Sequence, residues 1–314
     1  MNVKHLAVTG ASGFIGGALV AALVRSGYVV KALTRRDDAA SKLRAHGAEV
    51  VRGGLGDREA VAELVASVDA VLHCAGTTTG ARYGDFEQTN VAGTCTLVES
   101  LAGSSVPVLA LSSLAATRPE LSYYAQSKAA MERVLEADTS RTCVMLRPPP
   151  VYGPGDRQLA PLFAALAWGI APMPVAPESR ISLLYVDDLV SAIVAWLDGG
   201  AEASGTYPLH DGTPNGYSWD EIVDTVARAR GAPVRRLRVP PGLLSGGARV
   251  NQWLARALGY SPMLTPGKLR ELRYPDWVCD NAAWCSAVNW RPTVDLAAGF
   301  GRLRGQDNYS ESST

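Results

Sequence analysis

Tyr124 and Lys128 stand four residues apart in the run Tyr123-Tyr124-Ala125-Gln126-Ser127-Lys128. On a helix that spacing puts both side chains on one face. A free tyrosine titrates at about 10 and is a poor base near neutrality. A neighbouring ammonium and an oxidised nicotinamide would each favour the phenolate and lower that value. Tyr124 could then move a proton while a nicotinamide moves a hydride, and Lys128 could also hold ribose hydroxyls. Tyr123 has no lysine four residues on, which makes it the weaker choice. Upstream, Ser112-Ser113 closes the apolar run 106–111. The carboxyl end of a central parallel strand faces the ligand crevice, where a hydroxyl can orient a reacting oxygen. For positions 124 and 128 alone, an ordinary exposed i,i+4 pair is the competing explanation.

A second cluster suits the cofactor that such chemistry requires. Thr9-Gly10-Ala11-Ser12-Gly13-Phe14-Ile15-Gly16 follows an apolar strand and opens an amphipathic helix. Its three glycines permit a tight reversal, close backbone approach to a pyrophosphate, and close helix–strand packing. The helix N-terminus then offers free N–H groups to the phosphates. An ordinary strand-to-helix turn is the bland alternative. The next strand ends in Leu33-Thr34-Arg35-Arg36. An acid there would accept hydrogen bonds from a ribose 2′-hydroxyl, whereas Arg35 and Arg36 suit a 2′-phosphate. This favours NADP(H), with NAD(H) and a merely solvated basic turn left open.

The elements that must position these groups alternate in type. Strands are expected at residues 5–9, 29–33, 49–52, 70–73, 106–111 and 143–146, and helices at 14–26, 58–66, 86–102 and 123–136. Such alternation predicts an α/β fold, a doubly wound parallel Rossmann sheet with right-handed crossovers. The near-continuous apolar strands fit a sheet covered on both faces. The run RPPPVYGPG at 147–155 is too rich in proline and glycine to continue either element. Residues 1–150 are therefore read as the dinucleotide-binding domain and 151–305 mainly as a smaller α/β substrate lobe. A helix at 187–197 would return to the first domain. Further helices are expected at 217–230, with Ser218 and Glu221 as a capping box, at 243–258 and at 266–272, and a strand at 234–239. The polar segment 306–314 reads as a flexible tail.

Composition excludes several function classes. Thirty basic and thirty acidic residues give a formal net charge of zero, so there is no general attraction to nucleic acid or an anionic membrane, and any anion site must be local. The five cysteines show no CxxC pair and no zinc spacing, which points to a reducing compartment and, with no signal peptide or membrane-spanning run, to the cytoplasm. The four histidines are scattered, so no catalytic metal is expected; His73 at a strand end reads as a packed residue. Asp187 and Asp188 read as helix-start carboxylates rather than an acid pair. Trp277, Trp284 and Trp290 read as packing for the C-terminal lobe. Arg235, Arg236 and Arg238 read as alternation on a half-exposed strand, with a substrate-phosphate site as the alternative.

Taken together, TGASGFIG, the YAQSK run and their separation resemble the extended short-chain dehydrogenase/reductase superfamily, the NAD(P)-dependent epimerase/dehydratase family. HCAG at 73–76, TNVAGT at 89–94, LSSLAA at 111–116, RPPPVYGPG, YVDDLVSAI at 185–193 and WRP at 290–292 extend the resemblance from about residue 3 to about residue 301. It implies Ser113, Tyr124 and Lys128 as a catalytic triad. It implies that Ala75, Gly76 and Thr77 line the cofactor path, that Asn90 is a structural or cofactor contact, and that backbone near Pro148 and Val151 meets the nicotinamide. Three departures stand out. Gly53-Gly54-Leu55 lacks the family's adenine-side aspartate, leaving a backbone contact near Leu55. Pro150 replaces an asparagine that nucleotide-sugar members use toward a diphosphate, and Tyr185 replaces a histidine. Arg35 and the serine pair look more like the dihydroflavonol-reductase and 3β-hydroxysteroid-dehydrogenase branches. The resulting expectation is an NADP(H)-dependent oxidoreductase acting on a secondary alcohol or ketone of a small substrate. The apolar stretch 159–175 suggests that this substrate is hydrophobic. A nucleotide-sugar epimerase or dehydratase with tightly bound cofactor, and a non-catalytic NADP-binding sensor or scaffold, are the alternatives. The resemblance also allows a homodimer through Rossmann-domain helices.

Overall fold

The short apolar runs of the first half become strands because β-branched and aliphatic residues follow one another without a helical period. In the computed structural model, which describes residues 4–173, 178–238 and 240–311, they are β1 (His5–Thr9), β2 (Val29–Thr34), β3 (Glu49–Arg52), β4 (Ala70–His73), β5 (Val108–Leu111) and β6 (Cys143–Arg147). They form a parallel sheet in the order β3-β2-β1-β4-β5-β6, and the strand Gly205–Pro208 extends it beside β6 to seven strands. Every residue of β4 and β5 is buried.

Strand period two divides the sheet's side chains between two cores. Leu6 and Val8 join Leu19 and Leu23 of α1 (Phe14–Arg25) on one face, together with Leu189, Ile193 and Trp196 of the helix Val186–Asp198. Ala7 points the other way, into a core with Val61 and Leu64 of α3 (Arg58–Val65), Leu97 of α5 (Gly93–Ser100) and Met131 of α6 (Tyr123–Glu136). A third core in the second half gathers Tyr152, Phe163, Leu166, Tyr185, Trp219, Val226 and Phe300.

Several elements differ from the sequence reading. A helix expected at 86–102 is three pieces: α4 (Tyr83–Glu87), a π-helical turn Gln88–Ala92, and α5. The helix α2 (Asp37–Ala45) and the strand Gly205–Pro208 are additional. The helix read at 217–230 starts at Trp219, because Tyr217-Ser218 is a strand, and Ser218 with Glu221 does form the capping box. The last helix runs from Leu296 to Glu311, so residues 306–311 carry helical backbone; residues 312–314 of the expected tail, and Val239 of the expected strand 234–239, lie outside the described residues.

Two packing roles also change, while Arg235–Arg238 is the strand expected. Trp284 and Trp290 join the core of the large sheet rather than that of the C-terminal lobe. Asp188 accepts bonds from Thr293 N (3.0 Å), Thr293 Oγ1 (2.9 Å) and Val294 N (2.8 Å), so it ties down a distant segment instead of its own helix start. Arg236 pairs with Asp220 and Asp224 at 2.8 Å each, which engages the central arginine of the 235–238 strand structurally.

Candidate active site

The tight turn after β1 is built around glycine. Gly10 has φ +69°, and a Cβ there would lie 2.5 Å from Ala75 N. A Cβ on Gly16 would lie 2.2 Å from the Gly10 carbonyl oxygen. Side chains at either position would push the turn apart. Gly13 is the N-cap of α1 and no side chain caps it; its own N–H donates to the Gly10 carbonyl (2.9 Å), while Phe14 and Ile15, which follow Ser12 and Gly13, place first-turn helix N–H groups at the edge of the sheet. Phe14 lies beside Gly153 and Gly155 of the proline- and glycine-rich loop, whose Val151 pairs with Leu184. Pro148 meets the Ser113 segment by accepting from Leu114 N at 2.9 Å. Backbone dimensions and donors here fit a dinucleotide pyrophosphate.

Around the carboxyl ends of β1 and β4, a chain of hydrogen bonds runs through the interior. Ala75 N donates to Thr9 Oγ1 (3.2 Å), Thr9 meets His73 Nδ1 (2.8 Å), and His73 Nε2 meets Thr94 Oγ1 (3.0 Å). Thr94 then donates to the Asn90 carbonyl (2.7 Å). Burial, and secondarily the charge of Lys128, pull His73 down to about 3, so it is neutral between its two threonines. Asn90 sits in the π-helical turn and is fully buried. Its Oδ1 accepts from Thr77 N (2.8 Å), and its Nδ2 donates to Thr77 O (3.1 Å) and Ser127 Oγ (2.8 Å). The π turn is what aims this amide at the 75–77 loop and α6 together; such turns recur at functional sites. Leu55 packs against Gly93 of the following helix.

Tyr124 and Lys128 lie in the first half of α6, whose N-cap Ser122 accepts from Ala125 N. Lys128 is 4% exposed. Its Nζ donates to the Leu111 carbonyl at the end of β5 (2.7 Å) and sits below Gly76, where a Cβ would come within 3.1 Å of it. Burial lowers Lys128 to about 8, against the raising influence of Cys74 and Glu132. Burial also pushes Tyr124 up to about 12; a Ser113 hydrogen bond acts downward and the Glu271 charge upward. The sequence reading expected the ammonium to lower Tyr124. In the chain without coenzyme, burial outweighs the Ser113 hydrogen bond and the phenol holds its proton at neutral pH; the lowering expected from an oxidised nicotinamide belongs to the coenzyme-bound state. Ser113 is the N-cap of the short turn Leu114–Thr117 and accepts from Ala115 N (3.2 Å). Ser113, Tyr124 and Lys128 therefore converge on the carboxyl edge of the sheet.

The two arginines after β2 separate. Arg36 is held by Asp38, with Nε to Oδ1 at 3.0 Å and a second contact from Nη2. Arg35 lies along Gly54, and its guanidinium has no hydrogen-bond or ion-pair partner among the described residues. Asp37 is paired with Arg52.

A cleft of ≈ 170 Å³ opens over Tyr124. Thr78, Phe86 and Tyr124 form one wall and Gln252, Arg256, Met263, Lys268 and Glu271 the other. Lys268 Nζ lies 5.9 Å from the Tyr124 ring centre and 3.0 Å from Glu271 Oε2, and Ser122 Oγ also bonds Glu271. Sequence reasoning missed this pair. The i,i+3 spacing of Lys268 and Glu271 is visible, but not their meeting with α6 across 149 residues. Of the stretch 159–175, expected at the substrate, Phe163 and Leu166 belong to the third core, and residues 174 and 175 lie outside the described residues. A larger, shallow groove of ≈ 380 Å³ between α1 and Val186–Asp198 contains none of the three converging residues. Among the described residues no group of three His, Cys, Asp or Glu side chains could hold a metal ion.

Comparison with known proteins fits this geometry. The chain is 34% identical over 285 residues to a ceramide reductase of Caulobacter vibrioides, covering 90% of this chain and 88% of that one. It is 31% identical to a 2-alkyl-3-oxoalkanoate reductase of Stenotrophomonas maltophilia, covering 95% and 97%. The fold matches MoeE5 in complex with UDP-glucuronic acid and NAD, with a TM-score of 0.74 at 22% identity over 98% of this chain and 99% of that one. Residues 6–207 fit the model of the NAD dependent epimerase/dehydratase family. That span, more than half the chain, and the two reductase relatives place the protein in that family, among the NAD(P)-dependent oxidoreductases of extended short-chain type.

Proposed function

We propose that the protein is an NADP(H)-dependent reductase of an alkyl-chain ketone, working in the cytoplasm. The observation that carries this reading is the convergence of a protonated Tyr124 phenol, Ser113 and buried Lys128 beside a cleft. Bound nicotinamide supplies the hydride for such a reduction. Ser113 orients the carbonyl oxygen, and Tyr124 donates the proton that this oxygen needs as it becomes an alcohol. A phenol near 12 is suited to give up its proton only when a more basic alkoxide develops. Lys128 lies beneath Gly76, where its ammonium can hold the ribose hydroxyls.

Arg35 supports NADP(H). It is the cation after β2 without a partner among the described residues, while Arg36, Asp37 and Asp38 are all engaged in ion pairs. The 2′-phosphate contact therefore falls to Arg35 rather than to both arginines. Two relatives whose names specify reduction of a ceramide and of a 3-oxoalkanoate support a ketone on an alkyl chain. Pro150 weighs against a nucleotide-sugar diphosphate, because it offers no donor.

The test is consumption of NADPH with a panel of ketones, spanning 3-oxoacyl and sphingoid-type lipids, short soluble ketones and sugar nucleotides. Stoichiometric oxidation of NADPH with an alkyl ketone is expected. Turnover of a sugar nucleotide with no net consumption would replace this reading by epimerisation.

A further inference from the structure

The helix Pro241–Leu258 is turned inside out relative to an ordinary surface helix. Its two fully buried positions are small, Ala248 at 0% and Ala255 at 2% exposed, with Leu244 and Asn251 half-buried beside them. Its large apolar residues face outward, with Leu243 at 71%, Val250 at 58%, Trp253 at 68% and Leu258 at 72% exposed. At 100° per residue, 243, 250, 254 and 258 fall on one stripe with 253 at its margin. Arg249 and Arg256 lie about 40° and about 60° beyond Trp253, at the polar border of the stripe, with Arg256 turned back to the Ala81 carbonyl. A surface helix that buries alanine and exposes tryptophan and leucine has an apolar face awaiting a partner.

Charge identifies that partner. The whole chain is neutral, yet residues 241–273 carry Arg249, Arg256, Lys268, Arg270 and Arg273 against Glu271 alone. The 18 residues of the helix include no acid. An apolar stripe with tryptophan, flanked by arginine and free of acids, has the composition of a helix lying in the interface of an anionic bilayer. The helix is also fixed to the active cleft. Gln252 and Arg256 donate to the Ala81 carbonyl at 3.0 and 3.3 Å, and both line the cleft over Tyr124 with Met263, which is 51% exposed. Among the described residues no helix is long and apolar enough to cross a membrane, so the contact is with one surface.

We propose that Pro241–Leu258 docks on an anionic phospholipid surface and sets the cleft mouth against it, so that a lipid ketone enters directly from the bilayer. The docking stands on the helix alone; only the identity of what enters rests on the reductase reading.

The full chain should be sedimented with phosphatidylcholine vesicles with and without phosphatidylglycerol. Expected is binding that requires phosphatidylglycerol and weakens with added salt. Trp253→Glu with Leu258→Glu should reduce partitioning by about tenfold or more, while turnover of a short soluble ketone is retained. Arg249→Gln, a milder change, should weaken binding several-fold. A parent protein that stays in the supernatant, or a double variant that binds as well as the parent, overturns the proposal. So does a dimer that the double variant abolishes in a parent indifferent to vesicles, since a second copy then covers the face. Sedimentation needs no substrate, so failure of ketone turnover in the parent strikes the reductase reading and leaves docking to be judged separately.

Discussion

The site at the sheet edge and the helix Pro241–Leu258 solve opposite problems. Around Asn90, His73 and Thr94 nearly every polar atom is buried and bonded within the protein, from the end of β1 to α6. In Pro241–Leu258 most of the large apolar groups are in solvent, and the two buried apolar residues are alanines. The first region determines geometry, because a buried amide with three partners has one orientation. The second region leaves contact area free. The difference shows that one region fixes its groups relative to one another while the other leaves surface free for a partner.

Breaking the catalytic side should have the largest consequence. Tyr124→Phe should lower turnover by about 10²–10⁴-fold, the usual range for a lost proton donor, with coenzyme affinity kept; the check is steady-state kinetics beside titration with NADPH. Arg35→Asp should lower the NADP/NAD ratio of kcat/KM by about 10–100-fold, in line with the ~1.5–3 kcal/mol of a charged hydrogen bond. An unchanged ratio would remove Arg35 from the 2′-phosphate. Asn90→Ala leaves Thr77 N and Ser127 without their partner and should cost about 1–3 kcal/mol in denaturant unfolding.

Lys128 sharpens the contrast through pH. Its folded value near 8 lies below the ordinary 10.5, so between about pH 8 and 10.5 the unfolded chain binds a proton that the folded chain does not. The contribution of this group to stability therefore rises with pH across that window. Compared with Lys128→Met, the parent should gain in Tm between about pH 8 and about pH 10. The smallest effect belongs to the outward face: Leu258→Ser should change stability by no more than about 0.5 kcal/mol, whereas Leu72→Ala in the core should cost about 2–5 kcal/mol.

The same contrast explains what could be read from the sequence. β1, β4 and β5 were legible because both of their faces are covered and they are apolar but for His5, Thr9 and His73 at strand ends. Gly205–Pro208 was not, because Gly-Thr-Tyr-Pro has no strand period; the strand exists by pairing with β6. α2 buries only Ala39, Ala40 and Leu43, too faint a stripe to stand out. Glycines and the Tyr124–Lys128 spacing are local signals, legible without the tertiary packing that brings them to one sheet edge. The pairing of Arg36 with Asp38, two residues on, was not weighed from the sequence. The segment 243–258 was read as a helix, but a helical pattern says which residues share a face and not whether that face turns inward. Lys268 and Glu271 reach Tyr124 through tertiary packing alone.

The central claim is that a phenol, a hydroxyl and an ammonium meet one nicotinamide ring at the edge of the sheet. A crystal structure with NADP bound tests it most directly. The account predicts the phosphates at the Gly10–Gly16 turn, the 2′-phosphate on Arg35, and the ring where a carbonyl could lie within about 3–3.5 Å of its C4 while touching Tyr124 Oη. A ring bound away from Tyr124, or no coenzyme in that crevice at saturation, would contradict it.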